Sequence, residues 1–204
     1  AEQKLLQKVE ITKPVWDSVP ASIGKPKPIP LKDKDGYWIG TALEPYGLVY
    51  HPVKFKRLGI AEPKDWNDLL DPKLKGEVAQ CAPTRSSSSN ATYEVMLSML
   101  GEDKGWEWLR KLAGNTGHFT ARSRDVPTVV AKGEFAVAVT MEYAAYEYVA
   151  GGLKEIKLVY PVEGTFLSPE GMALIKGGRH PAEARRLYEF LASKATQTEV
   201  FKSA

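Results

Sequence analysis

The chain has 204 residues, 43% hydrophobic and 26% charged, a balance that supplies a buried core and excludes a disordered or fibrous chain. Its 28 Lys and Arg against 25 Asp and Glu leave a formal net charge of +3 with no block of like charge, so nothing calls for nucleic acid or a membrane surface. The apolar runs are far shorter than the roughly 20 residues that span a bilayer, and Cys81, the single cysteine, excludes an intramolecular disulfide and a Cys-rich zinc site. In chain order, Ala1 to Val9 reads as a short helix that runs into Pro14, Pro20, Pro26, Pro28 and Pro30, an extended connection. Asp33-Lys34-Asp35-Gly36 is a turn signal ahead of a strand at Tyr37 to Gly40, and a second strand is expected at Gly47 to Tyr50.

From Pro63 the pattern alternates. A short helix is expected around Trp66 to Leu70, a strand at Val78 to Ala82 with Cys81 buried in it, and helices near Asn90 to Leu100 and Lys104 to Ala113. Tyr93, Met96, Leu97 and Leu100 recur at i, i+3, i+4 and i+7, one apolar helical face. Then follow a strand near His118 to Thr120, a helix at Val126 to Lys132, and strands at Phe135 to Val139, Ile156 to Tyr160 and Met172 to Ile175. A last helix starts at Pro181, which suits a first helical position, and is expected to bury Ala184, Leu187, Tyr188 and Leu191. Strands separated by helices argue for an α/β fold with a largely parallel sheet covered on both faces.

Three stretches are candidates for chemistry. Ala82-Pro83-Thr84-Arg85-Ser86-Ser87-Ser88-Ser89-Asn90-Ala91-Thr92 leaves a buried strand and enters a helix, and the carboxyl end of a strand is where ligands bind in open α/β sheets. Free N–H groups, hydroxyls and the Arg85 guanidinium would favour an anion, while a polar loop with a Ser cap accounts for the same residues without a ligand. In Thr120-Ala121-Arg122-Ser123-Arg124-Asp125-Val126-Pro127, Ser123 is a candidate helix cap, and two arginines favour an acidic ligand group nearby unless one pairs with Asp125. Glu142 ends the most hydrophobic strand, where a carboxylate is costly without a partner; as a site residue it would accept hydrogen bonds from hydroxyls. No GxxxxGK(S/T), GxSxG or HExxH is present. His51, His118 and His180 stand apart from one another and from Cys81, so no metal cluster or catalytic pair is expected.

Several stretches together resemble the bacterial extracellular solute-binding proteins of the ferric-ion, hexose-phosphate and phosphoglycerate branch. The carriers are Gly47-Leu48-Val49-Tyr50-His51-Pro52, Asp65-Trp66-Asn67-Asp68-Leu69-Leu70-Asp71-Pro72-Lys73-Leu74-Lys75-Gly76, Gly105-Trp106-Glu107-Trp108-Leu109, Val129 to Glu134, Gly164 to Ala173 and Tyr188 to Lys194. The resemblance implies the type II periplasmic binding fold, an α/β protein of two lobes joined by two crossing strands near Tyr46 to Tyr50 and Thr165 to Met172. It assigns residues 51–160 to the second lobe and residues 1–50 and 161–204 to what remains of the first, with the chain beginning too late to hold the whole first lobe. The implied protein is a periplasmic or extracytoplasmic, non-catalytic and monomeric receptor that needs no cofactor and no metal, delivering a small anionic ligand such as a sugar phosphate to the membrane permease of an ABC transporter. Arg85 with Ser86, Ser87 and Ser88 would hold the acidic group, Asn115, Ser123 and Arg124 would share it, Glu142 would orient hydroxyls, and Glu163 completes the expected ligand-binding set. Ferric-ion binding is the alternative of the same fold, although Tyr143 is followed by Ala144 where ferric binders carry paired tyrosines. A serine hydrolase, which would need a histidine beside Ser86 to Ser89, is the third reading.

Overall fold

The computed structural model describes residues 5–9, 13–24, 28–153 and 155–203. In chain order the elements are β1 (Leu6–Gln7), α1 (Lys13–Ser18), β2 (Ser22–Ile23), β3 (Ile29–Pro30), β4 (Trp38–Tyr50), α2 (Pro52–Leu58), β5 (Val78–Cys81), α3 (Ser87–Leu100), α4 (Glu102–Asn115), β6 (Thr116–Thr120), α5 (Val126–Ala131), β7 (Val137–Met141), α6 (Glu142–Ala150), β8 (Lys157–Val159), β9 (Leu167–Ile175), α7 (Pro181–Ala192) and α8 (Lys194–Ser203). The chain divides into two compact units, residues 44–167 and residues 1–43 with 168–204.

In the unit of residues 44–167 the strands run in the order β8, β4, β7, β5, β6. β5 is parallel to both β6 and β7, whereas β4 is antiparallel to β7 and β8. Alternation of side chains across the pleat builds two cores. Leu48, Tyr50, Val78 and Val137 face α3, α4 and a 3-10 turn at Trp66–Leu70, burying Met96, Trp108, Leu112, Trp66 and Leu69. Val49, Ala79, Cys81 and Ala138 face the other way, onto Val126 and Val130 of α5 and Ala145 of α6. A strand covered on both faces buries every residue, which is why all four of Val78–Cys81, Cys81 included, are buried, with Gln80 as the one polar side chain among them.

In the other unit, Leu6 and Gln7 pair antiparallel with Ile175 and Leu174, and Val9, Ile39, Tyr188 and Ala192 form the core with Met172 and Leu174 packed on it. The short helix expected over Ala1 to Val9 is thus replaced by a strand at Leu6–Gln7, while residues 1–4 lie outside the described ones. Within the proline-rich stretch α1 forms with Pro14 in its first turn, where a missing N–H leaves no intrahelical bond unmade. On α7, Tyr188 is buried as expected, but Leu187 is 57% exposed and Ala184 is also exposed; the helix turns a narrower stripe inward than its apolar positions suggested. The two strands expected at Tyr37 to Gly40 and Gly47 to Tyr50 are one, because β4 continues through Glu44 and Pro45.

Two glycines of α4 and β6 behave oppositely. A Cβ on Gly117 would stand 2.1 Å from the carbonyl oxygen of Gly76, so the backbones meet where only hydrogen fits, whereas a Cβ on Gly114 would meet nothing within 4 Å. Gly117→Ala is therefore expected to destabilise the protein by at least about 1–3 kcal/mol, and Gly114→Ala to stabilise it by roughly 0.5–1 kcal/mol. Urea denaturation of the two variants checks both signs.

Candidate functional site

Because β5, β6 and β7 are parallel, their carboxyl ends, Cys81, Thr120 and Met141, lie on one edge of the sheet, and the chain leaves each of them into a helix or turn. Along β5 the step is Ala82 to Ser86, fixed by Ala82 N–H donating to Thr120 O (3.1 Å) and Arg85 N–H donating to Ala82 O (2.9 Å). Ser86 is the N-cap of α3, and its Oγ accepts from Ser89 N–H at 3.3 Å. Helix geometry leaves the Ser87 and Ser88 amides without intrahelical acceptors at this edge. Ser87 and Arg85 are exposed, and among the described residues Arg85 has no ion-pair partner; the side chain of Ser88 lies outside the described ones.

A concavity opens at this edge, with Gln80, Ser89, Thr92, Tyr93, Ser123 and Thr140 giving it polar walls. Ser89 and Thr92 are one helical turn apart on α3, and the Thr92 Oγ1 is buried without a hydrogen-bond partner among the described residues. Gln80 is 5% exposed, and its carboxamide links two elements, donating from Nε2 to Thr116 Oγ1 (2.5 Å) and accepting at Oε1 from Tyr93 O–H (2.8 Å). Burial, with the Cys81 thiol beside it, pushes the Tyr93 phenol up to about 12.

The structure distributes the sequence-derived candidates unevenly. Ser86, Ser87, Ser123 and Arg85 share this edge; Ser123 lines the concavity and caps no helix, since the N-cap positions of its 3-10 turn and of α5 are Arg122 and Asp125. Arg122 takes Asp125 (2.9 Å), and Arg124 reaches away to Glu147 on α6 (2.8 Å) and over the Tyr143 ring (5.8 Å). Glu142 opens α6 just beyond the edge and accepts a short hydrogen bond from Tyr160 O–H; burial and then this carboxylate raise the Tyr160 phenol pKa. Asn115 stands elsewhere, at the amino end of β6, where its Nδ2 donates to Leu69 O and Asp71 O, both at 2.9 Å. Glu163 lies in the short segment between Tyr160 and Thr165, accepting from Trp66 N–H at 3.4 Å beside the Trp66 Nε1–H bond to Gly164 O (2.9 Å), and is not among the residues that line the concavity. Thr92, Tyr93 and Thr140 stand outside the expected ligand-binding set, although Thr92 ends the serine-rich candidate stretch and Thr140 directly precedes Met141 and Glu142. For the first two the available signal was spacing, three and four residues beyond Ser89 on the same helix.

At the same edge, where Tyr46 of β4 pairs with Met141 of β7 and lines the concavity, Thr165 Oγ1 donates to Tyr46 O (2.6 Å), Tyr46 N–H donates to Phe166 O (3.0 Å), and the Tyr46 and Phe166 rings lie 5.3 Å apart. This ties the segment before β9 to the strand that borders the concavity. Among the described residues no group of three or more His, Cys, Asp and Glu could hold a metal ion, and no helix is long and apolar enough to cross a membrane.

With this geometry in view, comparison with known proteins is specific. The model of the bacterial extracellular solute-binding protein family matches residues 1–203, and the chain belongs to that family. The phosphoglycerate transport regulatory protein PgtC of Salmonella typhimurium is 26% identical over 182 residues, 89% of this chain and 44% of PgtC. Among solved structures, the periplasmic binding protein AfuA from Actinobacillus pleuropneumoniae, with exogenous fructose-6-phosphate bound, is 27% identical with a TM-score of 0.83 over 98% of this chain and 61% of AfuA. Iron-bound HitA from Pseudomonas aeruginosa is 23% identical with a TM-score of 0.78, over 98% of this chain and 62% of HitA, a likeness of fold. The fold is that of the type II periplasmic binding proteins. The chain spans about half the length of the curated relatives it matches.

Two outcomes follow. Asn115→Ala takes the side-chain donor from the buried Leu69 carbonyl, while Asp71 O still accepts from Leu74 N–H (2.9 Å), so it is expected to cost about 1–3 kcal/mol in urea denaturation while anion affinity stays unchanged, measured by calorimetry. For Tyr93, the folded pKa of about 12 lies above the ordinary value of 10.0, so the folded state holds the proton more tightly. The stability this gives is complete below about pH 10 and is lost as pH rises towards 12; urea midpoints at pH 9 and pH 11 should fall less in Tyr93→Phe than in the parent.

Proposed function

We propose that the protein is the solute-binding receptor of an ABC importer and that it takes a small organic anion, a phosphate ester such as a sugar phosphate, at the carboxyl edge of β5, β6 and β7. The observation that carries this reading is that the capped start of α3 and the hydroxyls of Ser89, Thr92 and Ser123 meet on one edge, with Arg85, exposed and without an ion-pair partner among the described residues, on the loop that leads into it. Backbone amides at a helix start, hydroxyls and a guanidinium are donors without a matching carboxylate, the composition that an anionic oxygen needs. Family membership and the ligand in AfuA support the same choice. Capture and release need no bond to be made or broken, so the role is non-catalytic, with a membrane permease as the partner and the extracytoplasmic side as the location. The two compact units serve as the two lobes.

Arg124 is held by Glu147 and Arg122 by Asp125, so Arg85 is the guanidinium available to the anion in this arrangement. The ferric alternative needs phenolates, and both Tyr93 and Tyr160 are held towards the phenol form.

Calorimetry of the protein with fructose 6-phosphate, 3-phosphoglycerate and ferric citrate tests the reading. A stoichiometric isotherm with one of the phosphate esters is expected, and Arg85→Ala should weaken it roughly tenfold to a hundredfold by loss of a charge-assisted bond. Ser86→Ala serves as the control, lowering stability by about 1 kcal/mol through loss of the cap. A coloured ferric complex lost on Tyr143→Phe, with no ester bound, would replace this reading with the ferric one.

A further inference from the structure

The hydrogen bonds behind the concavity have a fixed direction. The Leu112 carbonyl can only accept, so Thr116 must donate its hydroxyl proton there, at 2.8 Å. With that proton spent, Thr116 Oγ1 can only accept from Gln80, which obliges the amide nitrogen of Gln80 to face Thr116 at 2.5 Å and its carbonyl oxygen to face Tyr93. Gln80 Oε1 in turn can only accept, so the Tyr93 hydroxyl donates to it at 2.8 Å. Every link follows from the one before it, starting at a backbone carbonyl whose role admits no choice, so the orientation of the Gln80 amide is determined by the chain itself.

Tyr93 therefore arrives at the concavity with its only proton already used. What remains on its oxygen is a lone pair, and Tyr93 can offer a ligand acceptance and nothing else. Its pKa of about 12 keeps that proton in place at physiological pH. One residue earlier on α3, Thr92 is in the opposite state, with a buried hydroxyl that has no partner among the described residues and a proton free to give. Adjacent positions on one helix thus present a donor and an obligate acceptor to the same concavity.

We infer that Tyr93 is a specificity-determining residue: the preferred ligand carries, close to its anionic group, a hydroxyl or ammonium that donates to the Tyr93 oxygen, and anions without such a donor are discriminated against. The inference rests on the anion-binding reading above and narrows it, because an anionic oxygen placed against Tyr93 would meet a lone pair.

Three phosphate monoesters that differ in one group test it: ethyl phosphate, 2-hydroxyethyl phosphate and 2-aminoethyl phosphate, titrated into the protein at pH 8. The hydroxyl and ammonium esters are expected to bind roughly three- to tenfold more tightly than ethyl phosphate, the worth of one hydrogen bond. In Tyr93→Phe the three esters should bind alike. Gln80→Met, which removes the acceptor and frees the Tyr93 proton, should narrow the gap from the other side by tightening ethyl phosphate. Equal binding of the three esters to the parent protein, or a gap that persists unchanged in Tyr93→Phe or Gln80→Met, overturns the inference and leaves the anion-binding reading standing. Binding of none of the three, nor of the larger esters, overturns the anion-binding reading and the inference with it.

Discussion

The parallel pairing of β5 with strands on both its sides is the constraint from which the rest of the larger unit follows. A parallel pair cannot be closed by a hairpin, so each return crosses the sheet through helices, α3 and α4 after β5 and α5 after β6. Those crossovers bury both faces, so every residue of Val78–Cys81 is buried. They also deliver the helix start of α3, the Ser123 turn and the start of α6 to one edge. The polar residues of that edge are free to be polar because the strands behind them supply the core.

Polarity within the site is set from behind. Gln80 sits in a strand that is otherwise apolar, and burying a carboxamide there is tolerable only because both its ends are satisfied, by Thr116 and by Tyr93. The same two bonds fix β5 to the beginning of β6 and to the flank of α3, so the walls of the concavity and the packing of the sheet share one set of interactions. Glu142 illustrates the complementary case: a carboxylate at the start of a helix, partnered by Tyr160 O–H and placed at the positive end of the α6 dipole.

Much of this was legible before any coordinates. Strand and helix order in residues 63–160 followed from periodicity because each element buries a face, and the serine run declared itself as a strand-to-helix step. Site residues were harder, since spacing does not tell which end of a strand a residue occupies. Asn115 looked like a polar group near a strand, yet it precedes β6 whereas Ser123 follows it, and a parallel strand separates its two ends by its full length. Tyr93 read as part of an apolar helical face; only the folding of α3 back beside Gln80 gives it a second role. The α7 stripe was over-read because apolar residues at helical spacing do not say how wide the receiving surface is.

The junction between α4 and β6 contains no connecting residue at all: Asn115 ends the helix and Thr116 begins the strand. Asn115 is bonded back to Leu69 and Asp71, and Thr116 back to Leu112, so helix, strand and the preceding 3-10 turns are indexed to one another residue by residue. An added amino acid there would rotate the strand's faces by half a turn. Reporter fusions, affinity labels and permuted termini therefore belong at the exposed Gly151-Gly152 turn that closes α6, where Gly151 and Gly152 N–H groups bond back to Glu147 O and Val149 O of the same helix and an insertion leaves every such index intact.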